Sequence, residues 1–93
     1  MSSPAIAIAL PAVLDIQAAE PLRSELLAAR GQALTLDGSS VERLGGLCLQ
    51  VLLSARRTWA EDGQPFAFGP LSDDFTDQWA ALGAPSDLLG AFS

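Results

Sequence analysis

The chain has 93 residues, 49% of them apolar and 17% charged, with a mean hydropathy of +0.31. That composition suits one domain with a single core and lies well outside the range of disordered chains. Eleven acidic residues against five basic ones leave a net charge of −6, and Arg23, Arg30, Arg43, Arg56 and Arg57 form no cluster beyond the last pair, so the phosphate-neutralising footprint of a nucleic-acid binder is missing.

The missing residue types narrow the chemistry further. There is no histidine and no tyrosine, and the single cysteine, Cys48, sits in an apolar run where a thiol packs as a small hydrophobe. Metal sites built on His or several Cys, and triads with a His base, are therefore closed to this chain. No catalytic residue, cofactor or metal is expected. The start MSSPAIAIALPAV lacks the basic region and long apolar core of a secretory signal. Pro11, Asp15, Arg56 and Asp62 interrupt every stretch that could approach a membrane span, and a cytoplasmic protein is expected.

Taken in chain order, Ala5–Leu10 alternates large and small apolar residues as a strand does, limited by Pro11. Val13-Leu14-Asp15 then reads as a second short strand turning into a helix over about 17–29. That helix has Ala19, Leu22, Leu26 and Leu27 on its inner side, with Glu20, Arg23, Ser24 and Arg30 facing water. Pro21 has no amide hydrogen and belongs in a first turn, so the helix starts no earlier than about Ile16. Gly31 ends it.

Ala33–Leu36 is the next strand, short and apolar as a central parallel strand would be, and Asp37-Gly38-Ser39-Ser40 reads as a turn. A second helix, about 45–61, places Leu47, Val51, Leu52, Ala55 and Trp59 at helical spacing, widened by Cys48, Leu49 and Leu53. Asp62-Gly63 closes it. Phe66-Ala67-Phe68 makes another strand before Gly69-Pro70. Ser72 is a good N-cap, with Asp73 and Asp74 where the helix dipole favours negative charge, for a third helix burying Phe75, Trp79 and Leu82 and ended by Gly83. The tail 84–93 carries Leu88, Leu89 and Phe92 and fits no class by itself. This order predicts an α/β sandwich in one domain, 1–93, with a mixed sheet of four to five strands and helices mostly on one face.

The stretch LTLDGSSVERLGGLCLQVLLSARRTW, residues 34–59, resembles the STAS domain, the family of bacterial anti-sigma factor antagonists. In that family a strand runs into an Asp-Ser-Ser/Thr-Gly motif at the start of a buried helix. Laid on the motif, Arg43 stands at the Asp, Leu44 at the first Ser, Gly45 at the phosphorylatable Ser/Thr and Gly46 at the Gly. Only the Gly is kept. The wording Leu-Gly-Gly-x-Cys-Leu-Gln-Val-Leu-Leu is also similar to small STAS-like proteins encoded beside bacterial chemotaxis genes.

The resemblance implies a non-enzymatic interaction module that binds a histidine-kinase-like partner, an anti-sigma kinase or the chemotaxis kinase. Without a hydroxyl at Gly45 it would lack the usual phosphoserine switch. An alternative is a STAS-like structural subunit docking on the ATPase of a lipid-transport ABC complex. Partner contacts would fall to Asp37, Ser39, Ser40, Arg43, Leu44, Gly45, Gly46 and Gln50. From the residues alone, Asp37–Ser40 is either such a loop or an ordinary turn. Gly45-Gly46 reads better as close packing of helix on loop than as an anion site, because Leu47-Cys48-Leu49 follows where a phosphate site would bring Lys, Ser or Thr. Gln50 either edges the apolar stripe or bonds a neighbouring group. The acidic residues from Glu61 to Asp87 sit where capping and helix dipoles account for them.

Overall fold

In the computed structural model, which describes residues 6–84, the elements are β1 (Ile6–Ala9), β2 (Val13–Leu14), α1 (Ile16–Ala28), β3 (Leu34–Gly38), β4 (Arg43–Leu44), α2 (Gly46–Glu61), β5 (Phe66–Leu71) and α3 (Asp73–Ala81). Residue 5, read as the start of the first strand, and residues 85–93 lie outside the described residues. Strand alternation sets the layering. Ile8, Leu34, Leu36, Gly38 and Phe68 are buried, while the intervening Ala7, Ala9, Thr35, Asp37 and Ala67 are exposed or half-exposed. The buried side chains of all three helices join the same apolar cluster as Ile8, Leu34, Leu36 and Phe68.

The sandwich is an α/β one, as expected. Among the described residues its five strands divide into a three-stranded sheet of order β1-β3-β5 and a two-stranded pair, β2-β4, and every pairing is parallel. Parallel neighbours require crossover helices, and α1 and α2 supply them. Two strands outrun the sequence reading. β3 continues through Asp37, opposite Ala9, and Gly38, opposite Leu71, so the turn shrinks to Ser39-Ser40. β5 continues through Gly69-Pro70 to Leu71, with a register shift between Leu36 and Gly38. Ladder pairing there outweighs the turn preference of Asp, Gly and Pro, and the irregularity lies where such residues concentrate.

The helix boundaries follow from their caps. Asp15 Oδ1 accepts from the Ala18 amide at 3.0 Å to start α1, and Ser72 Oγ accepts from the Phe75 amide at 3.0 Å to start α3. Gly63 and Gly83, at φ 71° and 84°, end α2 and α3 in paired backbone bonds. Gln64 donates to Trp59 O and Gly63 to Ala60 O, and Ala84 to Trp79 O and Gly83 to Ala80 O. Pro21 lies one turn deeper in α1 than expected. Position 21 has no amide to offer the Gln17 carbonyl, and both residues are on the wet side, where water can serve it.

Three leucines assigned to inner faces are not buried. Leu27 is 47% exposed, Leu47 50% and Leu82 44%. The reason is geometric. Leu27 lies on the rim of an open groove of about 390 Å³ between α1 and α2, floored by Leu26, Ala55 and Trp59. Leu47 occupies the first turn of α2, and Leu82 is the C-cap of α3, both at helix ends where the neighbouring layer stops. Phe75 and Trp79 carry the burial of α3, stacked on each other at 5.7 Å and both against Phe68. Trp59 is 1% exposed, and its indole N–H donates to Gln32 O at 2.7 Å.

Candidate functional site: the strip from Asp37 to Gly46

The strip is built by laying the start of α2 alongside the start of α1. β2 and β4 pair through Val13 opposite Arg43 and Leu14 opposite Leu44. Ala12 O accepts from the amides of Glu42 at 2.7 Å and Arg43 at 3.1 Å, and Leu14 O accepts from Gly45 at 2.8 Å. The Cys48 thiol donates to Asp15 O at 3.3 Å. Burial and the nearby Asp15 carboxylate push the Cys48 pKa up, so the thiol is the opposite of an activated nucleophile.

Asp37 and the two serines form the first corner. Asp37 Oδ1 accepts from both Ser39 Oγ at 2.7 Å and Ser39 N at 2.9 Å, and those bonds hold its carboxyl below the usual range. Ser39 and Ser40 are exposed. Val41, 1% exposed, pins the middle of the strip to the core, and Glu42 and Arg43 project outward. Among the described residues the Arg43 guanidinium makes no ion pair.

Leu44 differs from the other candidates: its side chain is buried at 4%, so it supports the strip from beneath and offers a partner no surface. Gly45 is the N-cap of α2 and half-buried, with no side chain to cap the helix. A Cβ placed there would meet Leu14 O at 3.1 Å, so a side chain fits only if the backbone gives by a few tenths of an ångström. Gly46 is different. It is exposed, with nothing within 4 Å of where a Cβ would lie. Gln50 is exposed one turn further on and lines the groove between α1 and α2. The fold thus leaves Ser39, Ser40, Arg43 and Gly46 exposed along one strip, with Asp37 bonded to Ser39 and Gln50 set off along the helix.

The sequence reading missed β4, and with it the residues of α3 that hold the strip. Ser72 N donates to Gly38 O at 3.1 Å and Ser72 Oγ donates to Val41 O, while Gln78 bonds the backbone at both Glu42 and Leu44. Ser72 was legible as a cap. Nothing in the spacing of Gln78 signals its second role. Apolar Val13 and Ile16, the latter 78% exposed, lie in the neighbouring β2 and α1 starts.

A family model described as "Mlab, STAS domain" matches residues 1–88. The chain belongs to the STAS domain family, whose members are generally non-enzymatic, anti-sigma factor antagonist-like interaction modules. No curated protein and no solved structure matches it. Among the described residues, no helix is long and apolar enough to cross a membrane, and no three His, Cys, Asp or Glu side chains gather as a metal site.

Proposed function

We propose that this chain, a single STAS-like domain over 1–93, is a non-enzymatic bacterial signalling adaptor of the cytoplasm that binds a histidine-kinase-like protein through the strip from Asp37 to Gly46. The observation that carries this reading is Gly45. Laid on the family motif it takes the phosphorylation position, it carries no hydroxyl, and the Leu14 carbonyl oxygen lies 3.1 Å from where a Cβ would be. A strip so built cannot be switched off at that position by phosphate. Binding is then constitutive, controlled by the partner or by abundance. By analogy with the chemotaxis-linked relatives, the chemotaxis kinase is one such partner.

A strip without a switch also suits permanent assembly, which favours a second reading, a structural subunit docked on the ATPase of a lipid-transport ABC complex. Affinity capture of the full chain with mass spectrometry separates the two. Recovery of a histidine kinase supports the first, and recovery of an ABC ATPase the second. Loss of capture on Gly46→Asp, with folding intact, assigns the contact to this strip.

A further inference from the structure

We infer that Gln78, on α3, is the positioning residue of the partner-binding strip, fixing the backbone of Glu42–Leu44 from 34 and 36 residues away in sequence. The inference rests on the proposed function of that strip. Its basis is the way β4 is bonded on its two edges. One edge faces β2, where Arg43 N donates to Ala12 O and Gly45 N to Leu14 O. On the other edge, among the described residues, no strand lies beside the Glu42 carbonyl and the Leu44 amide. The Gln78 carboxamide takes that place. Its Oε1 accepts from Leu44 N at 2.6 Å and its Nε2 donates to Glu42 O at 2.9 Å. One donor and one acceptor, spaced to meet residues i and i+2 of an extended chain, reproduce the bonding of a neighbouring strand.

Neither Thr76 nor Ser72 duplicates this. Thr76 Oγ1 donates back to its own helix, at Asp73 O 3.1 Å away. Ser72 reaches only Gly38 and Val41, before the two-residue strand. Chemically the position is exacting. Gln78→Glu keeps the acceptor for Leu44 but sets a carboxylate oxygen against the Glu42 carbonyl. Gln78→Met keeps the length and removes both bonds. Because Arg43 lies between the two bonded groups, the direction in which it projects depends on both. Gln78 therefore acts on the partner through the backbone of the strip.

The test uses the full-length chain in two arms. Amide exchange followed by NMR should show the Leu44 amide exchanging at least about ten-fold faster in Gln78→Met, while Leu52 and Trp59 within α2 keep their wild-type rates. In Gln78→Glu, Leu44 should stay protected. A uniform acceleration of all amides would mean that Gln78 only stabilises the fold, and an unchanged Leu44 would mean that it holds nothing; either result overturns the inference. The second arm titrates the purified ATP-binding domain of the protein captured by the wild-type chain. Gln78→Met should weaken binding roughly ten-fold, about 1.4 kcal/mol, and Gln78→Glu should recover part of it. Equal binding by wild type and Gln78→Met, with Leu44 loosened, overturns the inference but leaves the proposed strip intact. If wild type binds no such domain, the functional reading itself fails and the inference falls with it.

Discussion

The starts of α1 and α2 are built to the same plan and finished in opposite ways. Each helix follows a two-residue strand, β2 or β4, after a single capping residue, Asp15 or Gly45. Asp15 closes α1 with its own carboxylate, bonded to Ala18 N. Gly45 has no side chain to cap with, and the Leu14 carbonyl oxygen lies 3.1 Å from where a Cβ would begin. The difference teaches that a helix start can be held by a close backbone contact as well as by a capping side chain. At the second start a close backbone contact stands where the first start has a capping side chain, and in the proposed reading that same position carries no hydroxyl for a switch.

The largest change breaks the tie between α1 and α2 at their far ends. Trp59→Ala removes a buried ring and its bond to Gln32 O, which joins α2 to the turn leaving α1, and it should cost on the order of 3–5 kcal/mol. Urea unfolding measures it; a chain this small can fail to fold at all, whereas a wild-type-like midpoint would mean that the apolar face of α2 is misassigned.

Next is the second start itself. Gly45→Ser places a hydroxyl at the proposed phosphorylation position and offers a cap worth a few tenths of a kcal/mol, but it drives a Cβ against Leu14 O. A net loss of about 1–2 kcal/mol is expected by urea unfolding, in line with overpacking elsewhere. With the captured kinase and ATP, the wild-type peptide containing Gly45 should stay unmodified and the Ser variant should accept phosphate. Phosphate on Ser39 or Ser40 of wild type would move the switch into the preceding turn.

The matching change at the first start is Asp15→Ala, which removes a true cap and should lower stability by about 1 kcal/mol. If it costs nothing, the contrast between the starts is one of shape only. Cys48, the thiol between them, should resist alkylation in the native state at neutral pH and react once the chain is unfolded. Its folded pKa is raised, so the associated stability is complete below the unfolded thiol's pKa and declines as pH rises from there through the folded value. Denaturation midpoints across alkaline pH, compared with Cys48→Ala, check the sign.

The smallest effect on stability belongs to Arg43→Ala, within about 0.5 kcal/mol for an exposed charge. Partner binding should nevertheless weaken. If binding survives both Arg43→Ala and Gly46→Asp but fails when Asp74 or Asp77 of α3 is changed, the contact lies on another face.

What could be read in advance was local. Ser72 followed by Asp73-Asp74, and Gly63 and Gly83 past the ends of their helices, act through neighbours within one turn, so their residue types declare their roles. β4 could not be read that way. Two residues, Arg43-Leu44, are extended because Ala12, Leu14 and Gln78 bond them from elsewhere in the chain. The same limit applies to Leu27 and Leu47: spacing placed them on apolar faces, but only the packing of α1 beside α2 shows that the groove between them stays open. Of the candidate site, Ser39, Ser40 and Arg43 are exposed, whereas Leu44, which motif position alone singles out, has a buried side chain.

The parallel pairing of the described strands also governs time. β1 and β3, and β3 and β5, are each separated by a helix, so among the described strands no hairpin can form first and hold the others in place. β3 is the hub that both outer strands await. On a ribosome, β1 emerges as an apolar ribbon with an unsatisfied edge and stays so until residues 34–38 follow, a delay on the order of seconds. The alanines at positions 7 and 9 keep half of that waiting ribbon small and weakly adhesive, a property that matters before the protein has any fold to stabilise.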